Sequence, residues 1–292
     1  LGTLYPVFVE VITGTQVSVG RPFFDRMAVP LSFGLLLAMG IGPFIPYRRA
    51  APAVLWRRLR LPLLVASAAT AGLVVLGLRS VSVVAVSFVL VAMAVASIQE
   101  LITTVPALRL GPVIRLLRTH RGYWGGQLSH LGLATLALGI AVTSTLADRA
   151  TLTLERGESV EALGYDVTFS GTRREDEPGR DARIAAIVLR EGGRVVHVAE
   201  PALTTFTSQV QAVGTPSVWS TPGSDVYVAL TSIDSDRVGI NVYRYPLMWL
   251  VWAGGSIVAL GGFWALAGRR RQPTSSRSTG LPSRQTSVVT RV

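Results

Sequence analysis

The sequence predicts a polytopic α-helical membrane protein, with about five transmembrane helices and an inserted extracytoplasmic β-rich domain. Three observations carry this. Apolar runs near the length that crosses a bilayer recur along the chain, arginines cluster between them, and one long stretch between the last two runs changes to short β-branched segments broken by Gly, Pro and Asp. The composition agrees: of 292 residues 49% are hydrophobic and 15% charged, and the mean hydropathy is +0.45. A soluble domain of this size carries roughly a quarter charged residues.

The runs are 27–46, 61–78, 81–106, 127–147 and 246–267. Each approaches the length of about 20 helical residues that spans about 30 Å of hydrocarbon. Arg79 and Ser80 alone part the second from the third, which implies a tight turn at one membrane surface. The formal charge of +11 comes from arginine without any lysine. Its distribution orients the spans: 47–60 holds five arginines, 107–126 holds four, and Arg269, Arg270 and Arg271 follow the last run. Those segments belong on the cytoplasmic side. Flanking apolar runs as they do, they form no basic face for nucleic acid, and membrane lipid is the expected neighbour.

Alternation then divides the chain into an extracytoplasmic segment 1–26 that follows a helix not present in it, a four-helix transmembrane region 27–147, an extracytoplasmic β-rich domain 148–245, a last helix 246–268 and a basic cytoplasmic tail 269–292 expected to be disordered. The outer domain carries 14 acidic against 10 basic residues, in keeping with that side. Strands are expected at 151–154, 165–171, 225–232 and 238–243, with a hairpin of 183–190 and 194–199 closed by a three-residue turn, Glu191, Gly192 and Gly193. Tyr47, Tyr123, Trp124, Tyr243, Tyr245, Trp249 and Trp264 suit interfacial belts. The chain opens at Leu1 with no Met and no signal peptide, and reads as a piece of a longer protein.

The chain has no cysteine, which excludes disulfides, iron–sulfur clusters, thiolate nucleophiles and a CxxCH haem attachment within it. His130 is the most informative residue, an ionisable side chain just inside the cytoplasmic end of an otherwise apolar span. It suits an axial haem ligand or a hydrogen bond to a neighbouring helix, and spacing favours the second, because no other intramembrane histidine exists to complete a bis-histidine haem. His120, in an arginine-rich loop, and His197, in a hairpin strand, have no further metal-binding residues at ligand spacing. No hydrolytic triad can be nominated, and Gly40-Ile-Gly-Pro43 ends a membrane helix instead of cradling phosphate.

Several motifs, taken in order, resemble the CcmF/NrfE family of cytochrome c-type biogenesis haem lyases. They are Leu1-Gly-Thr-Leu-Tyr-Pro6, Val17-Ser-Val-Gly-Arg-Pro-Phe-Phe24, Met39-Gly-Ile-Gly-Pro43, Ser129-His-Leu-Gly-Leu-Ala134, Thr215-Pro-Ser-Val218, Asp225-Val-Tyr-Val-Ala-Leu230 and Tyr243-Arg-Tyr-Pro-Leu-Met-Trp-Leu-Val-Trp252. The resemblance covers the C-terminal half of the family and nearly the whole chain up to Ala267. It implies a protein that assists transfer of haem from a periplasmic haem chaperone and its covalent attachment to the CxxCH of apocytochrome c. It also implies a haem b cofactor in the membrane, for which His130 matches one of two axial ligands, and this reverses the order that spacing suggested.

Arg115, Arg118 and Arg121, near the same membrane face, are candidate contacts for the haem propionates, although a positive-inside role explains them equally. No catalytic residue can be named. The family's tryptophan-rich loop, its periplasmic haem-holding histidines and its other intramembrane histidine have no counterpart here, so the chain alone is expected to be inactive. The resemblance makes an N-terminal half of the lyase its first partner, then the chaperone, the apocytochrome and thiol-reducing assembly subunits, all at a bacterial inner membrane. The rival expectation is a non-enzymatic permease subunit or sensor with an extracytoplasmic domain, which the bare topology permits.

Overall fold

A computed structural model describes residues 5–14, 21–41, 52–105, 110–207 and 212–267. In chain order it contains helices α1 (Tyr5–Thr13), α2 (Arg21–Ile41), α3 (Pro52–Val75), α4 (Val81–Thr104), α5 (Leu110–Thr119) and α6 (Arg121–Thr145). Ten strands follow in the described residues, among them β1 (Asp148–Glu155), β2 (Ser159–Ala162), β6 (Ala202–Phe206), β7 (Val213–Thr215), β8 (Ser217–Ser220) and β10 (Arg237–Pro246), and α7 (Trp249–Leu266) closes the series. Among the described residues four helices are long and apolar enough to cross a membrane: 55–75 within α3, then α4, α6 and α7. The first expected run corresponds to α2, whose apolar part, Arg26–Gly40, is shorter. Its continuation to residue 46, and the expected tail 269–292, lie outside the described residues.

Helix α3 begins nine residues before the expected second run, which starts at 61. Arginine is a good helix former, so the helix continues through Arg57, Arg58 and Arg60. Hydropathy marks where lipid begins, not where helical hydrogen bonding begins. Two hydroxyls inside the apolar helices bond back to their own backbone, Thr70 Oγ1 to Ala66 O at 2.8 Å and Thr135 Oγ1 to Leu131 O at 2.9 Å, so neither is left unpaired in hydrocarbon.

Helices α6 and α7 pack antiparallel along a seam of glycines. A Cβ at Gly125 would lie 2.7 Å from Gly261 O, one at Gly132 would lie 2.6 Å from Val258 N, and one at Gly139 would lie 2.7 Å from Val251 N. Without side chains at these positions the backbones approach closely enough for Ser129 Oγ to donate to Val258 O at 3.1 Å. On its other side α6 meets α4. Ser80, the N-cap of α4, donates from Oγ to Thr145 Oγ1 at 3.2 Å, which ties the start of α4 to the end of α6. Val86, Leu90 and Met93 pack in one cluster with Ala134, Ala137 and Ala141, while Phe33 and Leu36 bring α2 against it.

The strands form two packed sheets, one ordered β1-β10-β9-β8 and the other β2-β3-β4-β6-β7 with β5 (Arg194–Ala199) paired to β4 (Arg180–Glu191). Alternate residues of β3 (Tyr165–Glu177), β4, β9 (Ser224–Ile233) and β10 point inward, and Val167, Phe169, Ile187, Leu189, Val226, Val228, Val238 and Ile240 fill the core. β1 and β10 pair from Asp148 opposite Arg244 to Glu155 opposite Arg237. The strand leaving α6 therefore lies beside the strand entering α7, and the sandwich is an insertion between two helices already in contact.

The expected hairpin is present with a tighter turn. Glu191 pairs with Arg194, leaving two loop residues, Gly192 at φ 57° and Gly193 at φ 79°. Two successive positive φ values suit the right-handed twist of the strands, which a three-residue turn does not need.

Candidate functional site

Helix α6 carries His130 at the end remote from the sandwich. Fifteen residues separate it from Thr145, about 22 Å along the axis. The preceding turns are polar on the inside: Gln127 is 4% exposed and donates through Nε2 to Tyr123 Oη at 3.1 Å, and the Tyr123 and Trp124 rings meet edge to face at 5.4 Å. His130 itself is half-buried. Its Nδ1 is enclosed and has no hydrogen-bond partner.

Among the described residues three buried side-chain polar atoms lack a partner, and all three lie at this end of the helices: His130 Nδ1 on α6, and Ser97 Oγ and Gln99 Oε1 on α4. Native interiors leave few such atoms, so their concentration in one layer marks it. Next to it Arg58 Nη1 of α3 stands 4.0 Å from Glu100 Oε2. Arg58 and Gln99 line two adjoining clefts, of about 540 and 110 Å³, the larger also bordered by Arg57, Arg60 and Leu61. Sequence reading singled out His130 and passed over Ser97, Gln99 and Gln127. The available signal was the same one, polar side chains within apolar helices.

Of the three arginines named with His130, one shares its helix and two lie on α5. Arg121 precedes it by nine residues on the same helix, about 13 Å away along the axis and half a turn round. Arg115 and Arg118 belong to α5, and within the described residues the side chains of these three arginines form no hydrogen bond or ion pair. His120 is exposed ahead of α6 and caps nothing. His197 belongs to the sandwich, where its ring stacks on Trp219 at 5.4 Å and 5°, and burial pushes its pKa down.

No group of three or more His, Cys, Asp or Glu side chains that could hold a metal ion exists among the described residues. His130 thus offers a single imidazole nitrogen, too little for a bare ion and sufficient for a metal already held by a macrocycle. The enclosed Nδ1 suits that use, since an imidazole that binds a metal through one nitrogen is oriented by a hydrogen bond from the other.

Residues 145–246 match the family model described as the CcmF C-terminal β-sandwich. The chain is related to the C-terminal part of the CcmF family. The CcmF of Pseudomonas aeruginosa is 29% identical over 273 residues, covering 92% of this chain and 41% of that protein. CycK of Bradyrhizobium diazoefficiens is 27% identical over 282 residues, with coverages of 92% and 42%. CcmF of Escherichia coli is 28% identical over 269 residues, with coverages of 91% and 40%. All three are named cytochrome c-type biogenesis proteins. A solved structure of the cytochrome c haem lyase CcmF superposes with a TM-score of 0.74 at 27% identity, over 91% of this chain and 42% of that one. The CcmF-like chain spans about 41% of the length of the curated relatives it matches. Its likeness includes the helices as well as the sandwich.

Proposed function

We propose that this CcmF-like chain acts as the C-terminal part of a cytochrome c haem lyase in a bacterial inner membrane. In this reading it assists transfer of haem from a haem chaperone, and its covalent attachment to the CxxCH of an apocytochrome, with the sandwich on the extracytoplasmic side. The observation that carries it is His130, a lone imidazole in a membrane helix with an enclosed, unpartnered Nδ1. His130 would then hold the iron of a b-type haem, together with a residue of an N-terminal half. Bound there, the haem supplies one-electron chemistry.

The chain's own residues supply the setting. The α4–α6 contact holds the imidazole at fixed depth, and the Ala and Val side chains of that seam exclude water. The α6–α7 glycine seam keeps α6 rigid from the layer of His130 to the sandwich, which offers the haem chaperone, the apocytochrome and the thiol-reducing subunits a surface about 22 Å from that layer.

The test is co-expression with the N-terminal half of a relative, purification of the assembly and a reduced pyridine-haem spectrum. Wild type is expected to carry b-type haem, His130→Ala to lose it with insertion intact, and His120→Ala and His197→Ala to keep it. Wild-type haem content in His130→Ala overturns the ligand assignment.

A further inference from the structure

Helices α4 and α6 run antiparallel with a constant register. The Ser80–Thr145 hydrogen bond sets one end. From there the α4 positions Val86, Leu90 and Met93 and the α6 positions Ala141, Ala137 and Ala134 share one cluster and follow the same four-then-three spacing in opposite directions. The next step of four reaches Ser97 on α4 and His130 on α6. Their levels also match: Ser97 lies about 25 Å from Ser80 and His130 about 22 Å from Thr145. Both carry a buried polar atom without a partner, and the two atoms are complementary, because a hydroxyl oxygen accepts what an Nδ1–H donates.

We propose that Ser97 is the positioning residue for His130, accepting the Nδ1–H proton directly once a rotamer change brings the two unpaired atoms together, and so fixing the tautomer and ring direction that present Nε2. The assignment of Nε2 to haem iron rests on the function proposed above, while the pairing of the two side chains does not. An unpaired hydroxyl and an unpaired ring nitrogen at one level of an apolar bundle each carry a desolvation cost that their mutual hydrogen bond removes. Gln99, half a turn further on, faces the cleft of the arginines instead and is the natural control.

Two measurements test this, and the absence of native cysteine makes the first clean. Ser97→Cys combined with His130→Cys is oxidised in membranes and treated with trypsin, which cuts at Arg115 and Arg118 between the two positions. A disulfide-linked pair of fragments is expected, and none from Ser97→Cys with Leu128→Cys, whose second cysteine faces away. No link in the first pair overturns the pairing.

The second measurement is the reduction midpoint of haem in the co-expressed assembly. An imidazole that donates through Nδ1 is more electron-rich and favours ferric iron. Ser97→Ala should therefore keep the haem and move its midpoint to more positive potential, Ser97→Thr should restore the wild-type value, and Gln99→Ala should leave it unchanged. An unshifted midpoint in Ser97→Ala overturns the positioning role. If the wild-type assembly holds no haem, the proposed ligand function falls, and the cross-link still decides the pairing.

Discussion

Gly132 of α6 lies against Val258 of α7 so closely that a Cβ added to it would come within 2.6 Å of the Val258 amide nitrogen. A methyl there would also meet Gly254 O and the Ile257 side chain, each at 2.9 Å. Gly132→Ala should therefore separate the helices and cost about 1–3 kcal/mol, whereas Gly262→Ala, which meets nothing within 4 Å, should be neutral. Thermal unfolding of the two variants in the same detergent measures the difference. Equal stabilities would mean that α6 and α7 are not in this contact.

Among the described residues Phe169 is the largest fully buried side chain, and it sits between the sheets of the sandwich. Phe169→Ala should destabilise that domain by about 3–5 kcal/mol, through lost burial and a cavity that the two sheets cannot close. Limited proteolysis of the full chain in detergent should then cut within the sandwich before the helices. Unchanged resistance there would contradict the core assignment.

His197 stacks on Trp219, and burial lowers its pKa. The unfolded state then takes up the proton first as the pH falls below about 6.5, so stability is full above that value and declines below it until the folded form also protonates. His197→Phe keeps a ring on Trp219 without the titration. The unfolding temperature of wild type should fall more than that of His197→Phe between pH 7 and pH 5. Parallel curves would show that the imidazole is not buried as described.

The orientation inferred from arginine placement is open to labelling, because any introduced thiol is the chain's only one. Ser170 is exposed on the sandwich and Thr119 is exposed at the end of α5. In intact spheroplasts a membrane-impermeant thiol reagent should modify Ser170→Cys and spare Thr119→Cys. The reverse pattern would invert the topology.

Much of the architecture was legible in the residues because the constraints that specify it are local. A helix that crosses lipid must be apolar over a fixed length, which located the runs that became α3, α4, α6 and α7. The strands at 165–171, 225–232 and 238–243 showed themselves through β-branched residues, and each lies within a longer strand of the sandwich. Strands β2 (Ser159–Ala162), β6 (Ala202–Phe206), β7 (Val213–Thr215) and β8 (Ser217–Ser220) did not. They are short, and they are strands because a neighbour bonds to them, for example β8 to β9 from Ser217 opposite Val228.

His130 stood out in the sequence because one ionisable residue in an apolar run is conspicuous without any knowledge of its neighbours. Its setting was a matter for tertiary structure alone. Gly125, Gly132 and Gly139 acquire meaning only when α7 lies against them, and Ser97 only when α4 runs antiparallel to α6 in the register that the Ser80–Thr145 bond and the alanine seam enforce. Apolar length is a property of one segment, whereas which unpaired polar atoms share a level depends on the relative displacement of two helices. That a histidine interrupts an apolar run is written in residue order; what surrounds it follows from the packing of α4 on α6.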